Sequence, residues 1–229
     1  PDVLNETVAD LLFGMLLASA RRISELDGYV KEGKWGHGDE SDWFSSDVHH
    51  KTIGIIGMGG IGTAIAKRAR FGFDMEILYH NRTRNEDAEL KYEAMYRSLP
   101  DLLKESDFVV LMTPLTKETE KLMGVEEFKL MKNSAFFING SRGKTVDESA
   151  LFKALQEQEI KGAALDVFEE EPIDKKNPLL RLPNVITLPH VGSATYETRL
   201  AMAMLAAKNV VDGVLGKEPK NSITVDSKR

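Results

Sequence analysis

The stretch Ile53-Gly54-Ile55-Ile56-Gly57-Met58-Gly59-Gly60-Ile61-Gly62 decides how this chain is read. An apolar run ends in glycines at 57, 59 and 62, and a helical pattern carrying Ile61, Ile65 and Ala69 begins at once. In such a strand-turn-helix unit, the first glycine permits a tight turn and the second lets the backbone approach a pyrophosphate. The third lets helix and strand pack closely. The N–H groups at Gly60 and Ile61 would then face the anion, because the first turn of a helix has no internal acceptors for them. The same spacing also occurs in ordinary flexible loops. Here the preceding strand and following helix favour a dinucleotide.

Working outward, short apolar runs alternate with helical patterns from Lys51 onward, the mark of βα units and a mainly parallel sheet. Strands are predicted at 52–56, 75–79, 108–112, 135–138, 162–166 and 184–187. Helices are predicted at 60–71, 99–105, 126–132, 147–158 and 194–215. The strands show little polar alternation, which suits a sheet covered on both faces. Ahead of them, Val8, Leu11, Leu12, Met15, Leu16, Ile23 and Leu26 predict one helix over 6–33 behind a polar Asn5, broken by Gly33, Gly36 and Gly38. The expected fold is α/β, a Rossmann-type doubly wound parallel sheet with flanking crossover helices.

The chain has 229 residues, 42% hydrophobic and 29% charged, with no apolar run of the roughly 20 residues a membrane span needs. A net charge of −6 argues against nucleic acid, whose phosphates are held by clustered Lys and Arg. The absence of cysteine fits a reducing compartment, and a cytoplasmic location is expected. His49-His50 make a poor chelate, since neighbours on a strand face opposite ways, and His37 lies among glycines, so no metal is expected. Trp35 and Trp43 are expected to anchor their loop by burial.

About twenty residues past the glycine turn, where an NAD enzyme places an acid on the ribose, the sequence reads Asn81-Arg82-Thr83-Arg84. Asn81 can bind a ribose oxygen, while Arg82, Thr83 and Arg84 can hold a 2′-phosphate, which favours NADP(H) and leaves NAD(H) possible. Two solvated loop arginines would look the same. Three further segments follow strands: Ser141-Arg142-Gly143, Glu169-Glu170-Glu171-Pro172 and Pro189-His190-Val191-Gly192. Each has a bland reading as a surface turn, a solvated acidic run or a structural histidine. Together they place a cation, an acid and an imidazole at the ligand end of one sheet. Reduction of a 2-keto acid requires such a set: a cation for the substrate and a proton donor for the developing alkoxide.

The segments KTIGIIGMGGIGTAIAKRA, LMTPLTKET, FFINGSRGKTVDESAL, GAALDVFEEEP and LPHVGSAT resemble the D-2-hydroxyacid dehydrogenase family over nearly the whole chain. The resemblance implies that Arg142 orients the substrate, that His190 is the general acid and that Glu171 pairs with it. It implies further that Thr113-Pro114 line the cofactor, that Ile138-Asn139 approach the nicotinamide and that Asp166 binds its carboxamide. YHNRTR looks most like members that prefer NADPH and act on glyoxylate, hydroxypyruvate or 2-ketogluconate. The resemblance also divides the chain into a crossover helix and dimerisation arm (1–47), an NAD(P)-binding domain (48–193) and a return helix and tail (194–229), and implies a homodimer. Family members carry an additional substrate-binding half, on the order of a hundred residues, which this sequence does not include, so the segment by itself is expected to be inactive. Two alternatives remain at this stage: a dinucleotide-sensing, corepressor-like protein and a cofactor-binding module without turnover.

Overall fold

A computed structural model describes residues 2–36 and 43–222. Seven parallel strands form one sheet in the order β3-β2-β1-β4-β5-β6-β7. They are β1 (Thr52–Ile56), β2 (Glu76–His80), β3 (Met95–Tyr96), β4 (Phe108–Leu111), β5 (Phe136–Asn139), β6 (Gly162–Leu165) and β7 (Val185–Thr187). The order reverses between β1 and β4, and in open α/β sheets ligands bind outside the carboxyl ends of the strands at that reversal.

Both faces of the sheet are covered, which explains the continuous apolar runs. Ile53 and Ile55 of β1 point into one core with α1 (Asn5–Ala20) and α3 (Gly60–Phe73), while Ile56 joins a second core with α5 (Leu99–Glu105), α6 (Val125–Leu130) and α7 (Glu148–Gln156). Phe136 and Phe137 divide the same way. At roughly 1.5–3 kcal/mol per buried large side chain, these two layers are the main stabilising term.

The predicted elements all form, with ends displaced by at most two residues, but three features differ. The single helix expected over 6–33 is two, α1 and α2 (Ile23–Lys31), because Arg22 sits at φ 53, ψ 33 and turns the axis. Its guanidinium grips Glu25 at 2.6 and 2.7 Å. The side chain of Asn5 does not cap α1, whose N-cap is Leu4. Second, α4 (Glu86–Tyr92) and β3 were not foreseen. Asn85 caps α4 by accepting from the Ala88 N–H at 3.0 Å, with acids in the first turn. Third, Trp35 is 67% exposed rather than buried, while Trp43 is half-buried edge-on to Tyr29.

The apolar residues of α1 are buried against its own sheet, so they leave little surface for a partner. Exposed apolar groups lie instead on α2, at Ile23 and Val30, and along α8 (Tyr196–Val214), where Thr198 is the buried residue. No helix among the described residues is long and apolar enough to cross a membrane, and no His, Cys, Asp or Glu cluster among them could hold a metal. His37, Gly38 and residues 223–229 of the expected return tail lie outside the described residues.

Candidate active site

The glycine turn joins β1 to α3 at the sheet reversal. Gly57 has φ +106, and a Cβ there would lie 2.6 Å from the Met112 carbonyl oxygen, so no side chain fits. A Cβ at Gly62 would lie 2.2 Å from the Gly57 oxygen, which is the close helix-to-strand approach the sequence implied. Gly59, the N-cap of α3, faces open space instead. The Gly57 N–H donates to the His80 carbonyl at 2.9 Å, and the Asn85 side chain donates to the Met58 carbonyl at 2.9 Å, tying the turn to the end of β2.

A dinucleotide fits this cleft on two structural observations. The free amino end of α3 opens beside Gly59. Across from it, at the end of β4, the Thr113 hydroxyl is buried and has no hydrogen-bond partner among the described residues, a cost of about 1–3 kcal/mol that a ligand would relieve. Pro114 follows on the surface, its carbonyl accepting from the Thr119 hydroxyl at 2.6 Å. At the end of β2, Asn81 donates to the Thr83 carbonyl at 3.0 Å, Thr83 and Arg82 are exposed, and Arg84 is ion-paired to Glu89.

At the same end of the sheet, the structure brings the three candidate catalytic groups together. Glu171 Oε2 lies 2.7 Å from His190 Nδ1, and Glu171 Oε1 accepts the Phe168 N–H at 3.1 Å. Burial favours the neutral Glu171 carboxyl, but the hydrogen bonds from His190 and Phe168 outweigh it and hold the group below the usual carboxylate range, with the Arg142 charge adding to them. The Arg142 turn packs directly under this loop: a Cβ at Gly143 would fall 1.8 Å from the Phe168 carbonyl carbon. A cavity of about 460 Å³ opens alongside, lined by Phe168, Glu171, Ile173, Leu188 and His190. Another, of about 320 Å³, touches Lys161 and Asn184 at the opposite, amino end of the strands, where this fold does not bind its ligands.

Three residues expected to touch the cofactor also have partners within the protein. Ile138 is fully buried in the core. The Asn139 amide shapes the Arg142 turn, its oxygen accepting from Ser141 N–H and hydroxyl at 3.0 and 2.8 Å and its nitrogen donating to the Arg142 carbonyl at 3.3 Å. Asp166 is 2% exposed, and its two oxygens accept the Val191 and Gly192 N–H groups, each at 2.8 Å. Burial pushes its carboxyl above the usual range. These bonds hold the loop in which His190 adopts φ 54, a left-handed conformation that a non-glycine residue keeps only where its surroundings enforce it.

Sequence reasoning missed the supports. Glu148 and Glu169 exchange backbone-to-carboxylate hydrogen bonds at 2.6 and 3.1 Å, fixing the acidic loop on α7. Glu89 and Tyr79 brace the end of β2. The helix-start signal at Asn85 could have exposed the second pair; nothing local marks the first.

Comparison with known proteins agrees with this geometry. Residues 13–192 match the model of the D-isomer specific 2-hydroxyacid dehydrogenase NAD binding domain. Glyoxylate/hydroxypyruvate reductase B of Escherichia coli is 53% identical over 223 residues, which span 97% of this chain and 69% of the relative. Among solved structures, the TT0316 protein from Thermus thermophilus superposes with a TM-score of 0.91 at 41% identity, covering 98% of this chain and 70% of that one. A glyoxylate reductase from Paecilomyes thermophila superposes at 0.88 with 33% identity, covering 100% and 67%. With the glycine turn, the Arg142 turn and the Glu171–His190 pair at one sheet edge, the chain belongs to the D-isomer specific 2-hydroxyacid dehydrogenase family of nicotinamide-dependent oxidoreductases.

Proposed function

We propose that the protein reduces a small 2-keto acid of the glyoxylate or hydroxypyruvate type, using NADPH in preference to NADH. The observation that carries this reading is the 2.7 Å contact between Glu171 and His190 Nδ1 beside the Arg142 turn. The contact directs the other ring nitrogen, Nε2, away from Glu171 as the proton donor. The bound nicotinamide supplies the hydride. Arg142 presents a planar, permanently charged fork that matches the substrate carboxylate and its adjacent carbonyl oxygen. His190 delivers its proton to the oxygen that becomes an alkoxide, and Glu171 orients the ring through its contact with Nδ1.

The cofactor would be held by Gly57, Gly59, Gly60, Ile61 and Gly62 at its pyrophosphate and by Thr113 and Pro114 along one wall. Asn81, Arg82 and Thr83 would hold its adenosine ribose. Ile138, Asn139 and Asp166 act beneath the cleft, as supports for the residues that line it. The NADPH preference rests on exposed Arg82, with no acid at position 81 to repel a 2′-phosphate. Ile23 and Val30 of α2 and nearby Trp35 supply the apolar surface for a homodimer; a purely monomeric mass by light scattering at high concentration would refute that assembly.

The test is oxidation of NADPH by the full-length protein on adding glyoxylate or hydroxypyruvate, compared with NADH. Turnover faster with NADPH supports the reading, and equal rates with both cofactors overturn the preference.

A further inference from the structure

Arg82 and Arg84 are not equivalent. Arg82 is exposed and makes no hydrogen bond or ion pair among the described residues, its charge acting only at longer range on exposed Glu118. Arg84 is engaged: its Nε and Nη2 donate to the two oxygens of Glu89 at 2.9 and 2.7 Å, and its guanidinium lies 5.9 Å from the Tyr96 ring centre. Glu89 is itself anchored. It stands on α4, its side chain only 21% exposed, and it also accepts from the phenol of Tyr79, a fully buried residue whose oxygen accepts the Asn85 N–H at 2.9 Å. The hydrogen bonds from Arg84 and Tyr79 hold the Glu89 carboxyl below the usual range.

A fork already satisfied by a carboxylate carries no net charge as a pair, and a phosphate brought near must compete with that carboxylate and is repelled by it. We propose that Glu89 is a specificity-determining positioning residue, one that keeps Arg84 out of the 2′-phosphate site and so limits how strongly the protein prefers NADPH over NADH. The inference rests on the NADPH reading above, with Arg82 as the guanidinium that meets the phosphate.

The experiment measures dissociation constants for NADPH and NADH by titration calorimetry on the purified protein, with melting temperature as a folding control. In Glu89→Gln the side-chain oxygen takes the place of Oε1 and still accepts from Tyr79 and Arg84 Nε, while the NH2 group replaces the oxygen that accepted from Arg84 Nη2 and the negative charge is gone, so the grip on the fork is loosened and its charge is no longer cancelled. NADPH affinity is expected to rise about three- to tenfold, with NADH unchanged. The gain is expected to vanish in Glu89→Gln/Arg84→Ala. Glu89→Ala, which also frees Arg84, is read in the same way should the glutamine variant fold poorly. If Arg82→Ala abolishes the NADPH preference while the Glu89 variants leave the NADPH:NADH ratio unchanged or lower it, the role of Glu89 is overturned and the NADPH reading stands. If Arg82→Ala leaves the ratio unchanged, both fall.

Discussion

Replacing Gly59 by alanine separates the needs of the fold from those of the ligand. At this position the backbone is extended, at φ −84 and ψ −161, and an added Cβ meets no atom within 4 Å. The protein alone therefore tolerates the methyl group: a conformationally compatible Gly→Ala change is worth about 0.4–1 kcal/mol, and a chain of this length shifts its melting temperature by only about 2–4 °C per kcal/mol. The open space is where a pyrophosphate would approach the amino end of α3. A methyl group there pushes the anion away and removes one charge-assisted N–H hydrogen bond, worth about 1.5–3 kcal/mol, which is about 10- to 150-fold in affinity. The assay is calorimetric titration of NADPH into wild type and Gly59→Ala, with thermal unfolding of each. Gly62→Ala is the contrast, because its Cβ would lie 2.2 Å from the Gly57 oxygen, so stability and affinity should fall together. An unchanged NADPH affinity in a stably folded Gly59→Ala protein would refute the assignment of this turn to the cofactor.

Other expectations follow from the site and its supports. His190→Ala should lower turnover about 10²- to 10⁴-fold while leaving NADPH affinity intact; near-normal rates would remove His190 from the chemistry. Gly143→Ala drives a Cβ to 1.8 Å from the Phe168 carbonyl carbon and so must displace Arg142 from Glu171. A shift on the order of 1 Å should cost about 10²-fold in turnover, again with the nucleotide still bound, and an unaffected rate would show that the two loops need not stay in register. Acid stability tests Asp107, which accepts the Thr52 N–H at 3.0 Å and pairs with Lys132 at 2.9 Å. Burial alone would raise its carboxyl, but these partners outweigh burial and depress it. Its stabilisation is therefore present above the ordinary carboxylate pKa, near 4, and is lost as pH falls through the depressed value. Urea unfolding should show Asp107→Asn about 1–2 kcal/mol less stable than wild type at pH 7, with the gap closing toward pH 2. A gap independent of pH would contradict the sign.

Local and regular features were legible in the sequence. The glycine spacing announced the turn because each glycine answers a steric demand within six residues, and the apolar runs announced strands because helices cover both faces of the sheet. Features that depend on one residue's backbone state or on distant partners were not. Arg22 breaks a helix while the apolar periodicity runs on unchanged, and β3 is too short to carry a pattern, existing only through its pairing with Leu78 and Tyr79. The burial of Ile138, Asn139 and Asp166 and the bond from Asp166 to the histidine loop were not legible either, since sequence marks a strand end without saying which side chains turn inward.

Sequence alone thus determined a covered parallel sheet, a tight glycine turn between strand and helix, and the candidate residues that follow the strands, all encoded over short windows by sterics and hydrophobic pattern. Tertiary structure decided which groups meet. Glu171 reaches His190 across 19 positions and Glu148 braces Glu169 across 21, while Asp166 holds the histidine loop across 25 and 26. At such separations, hydrogen-bond partners are set by how β6, β7 and α7 pack. Arg82 and Arg84 stand two residues apart with the same charge, and only the position of Glu89 on α4 makes one of them available and the other engaged.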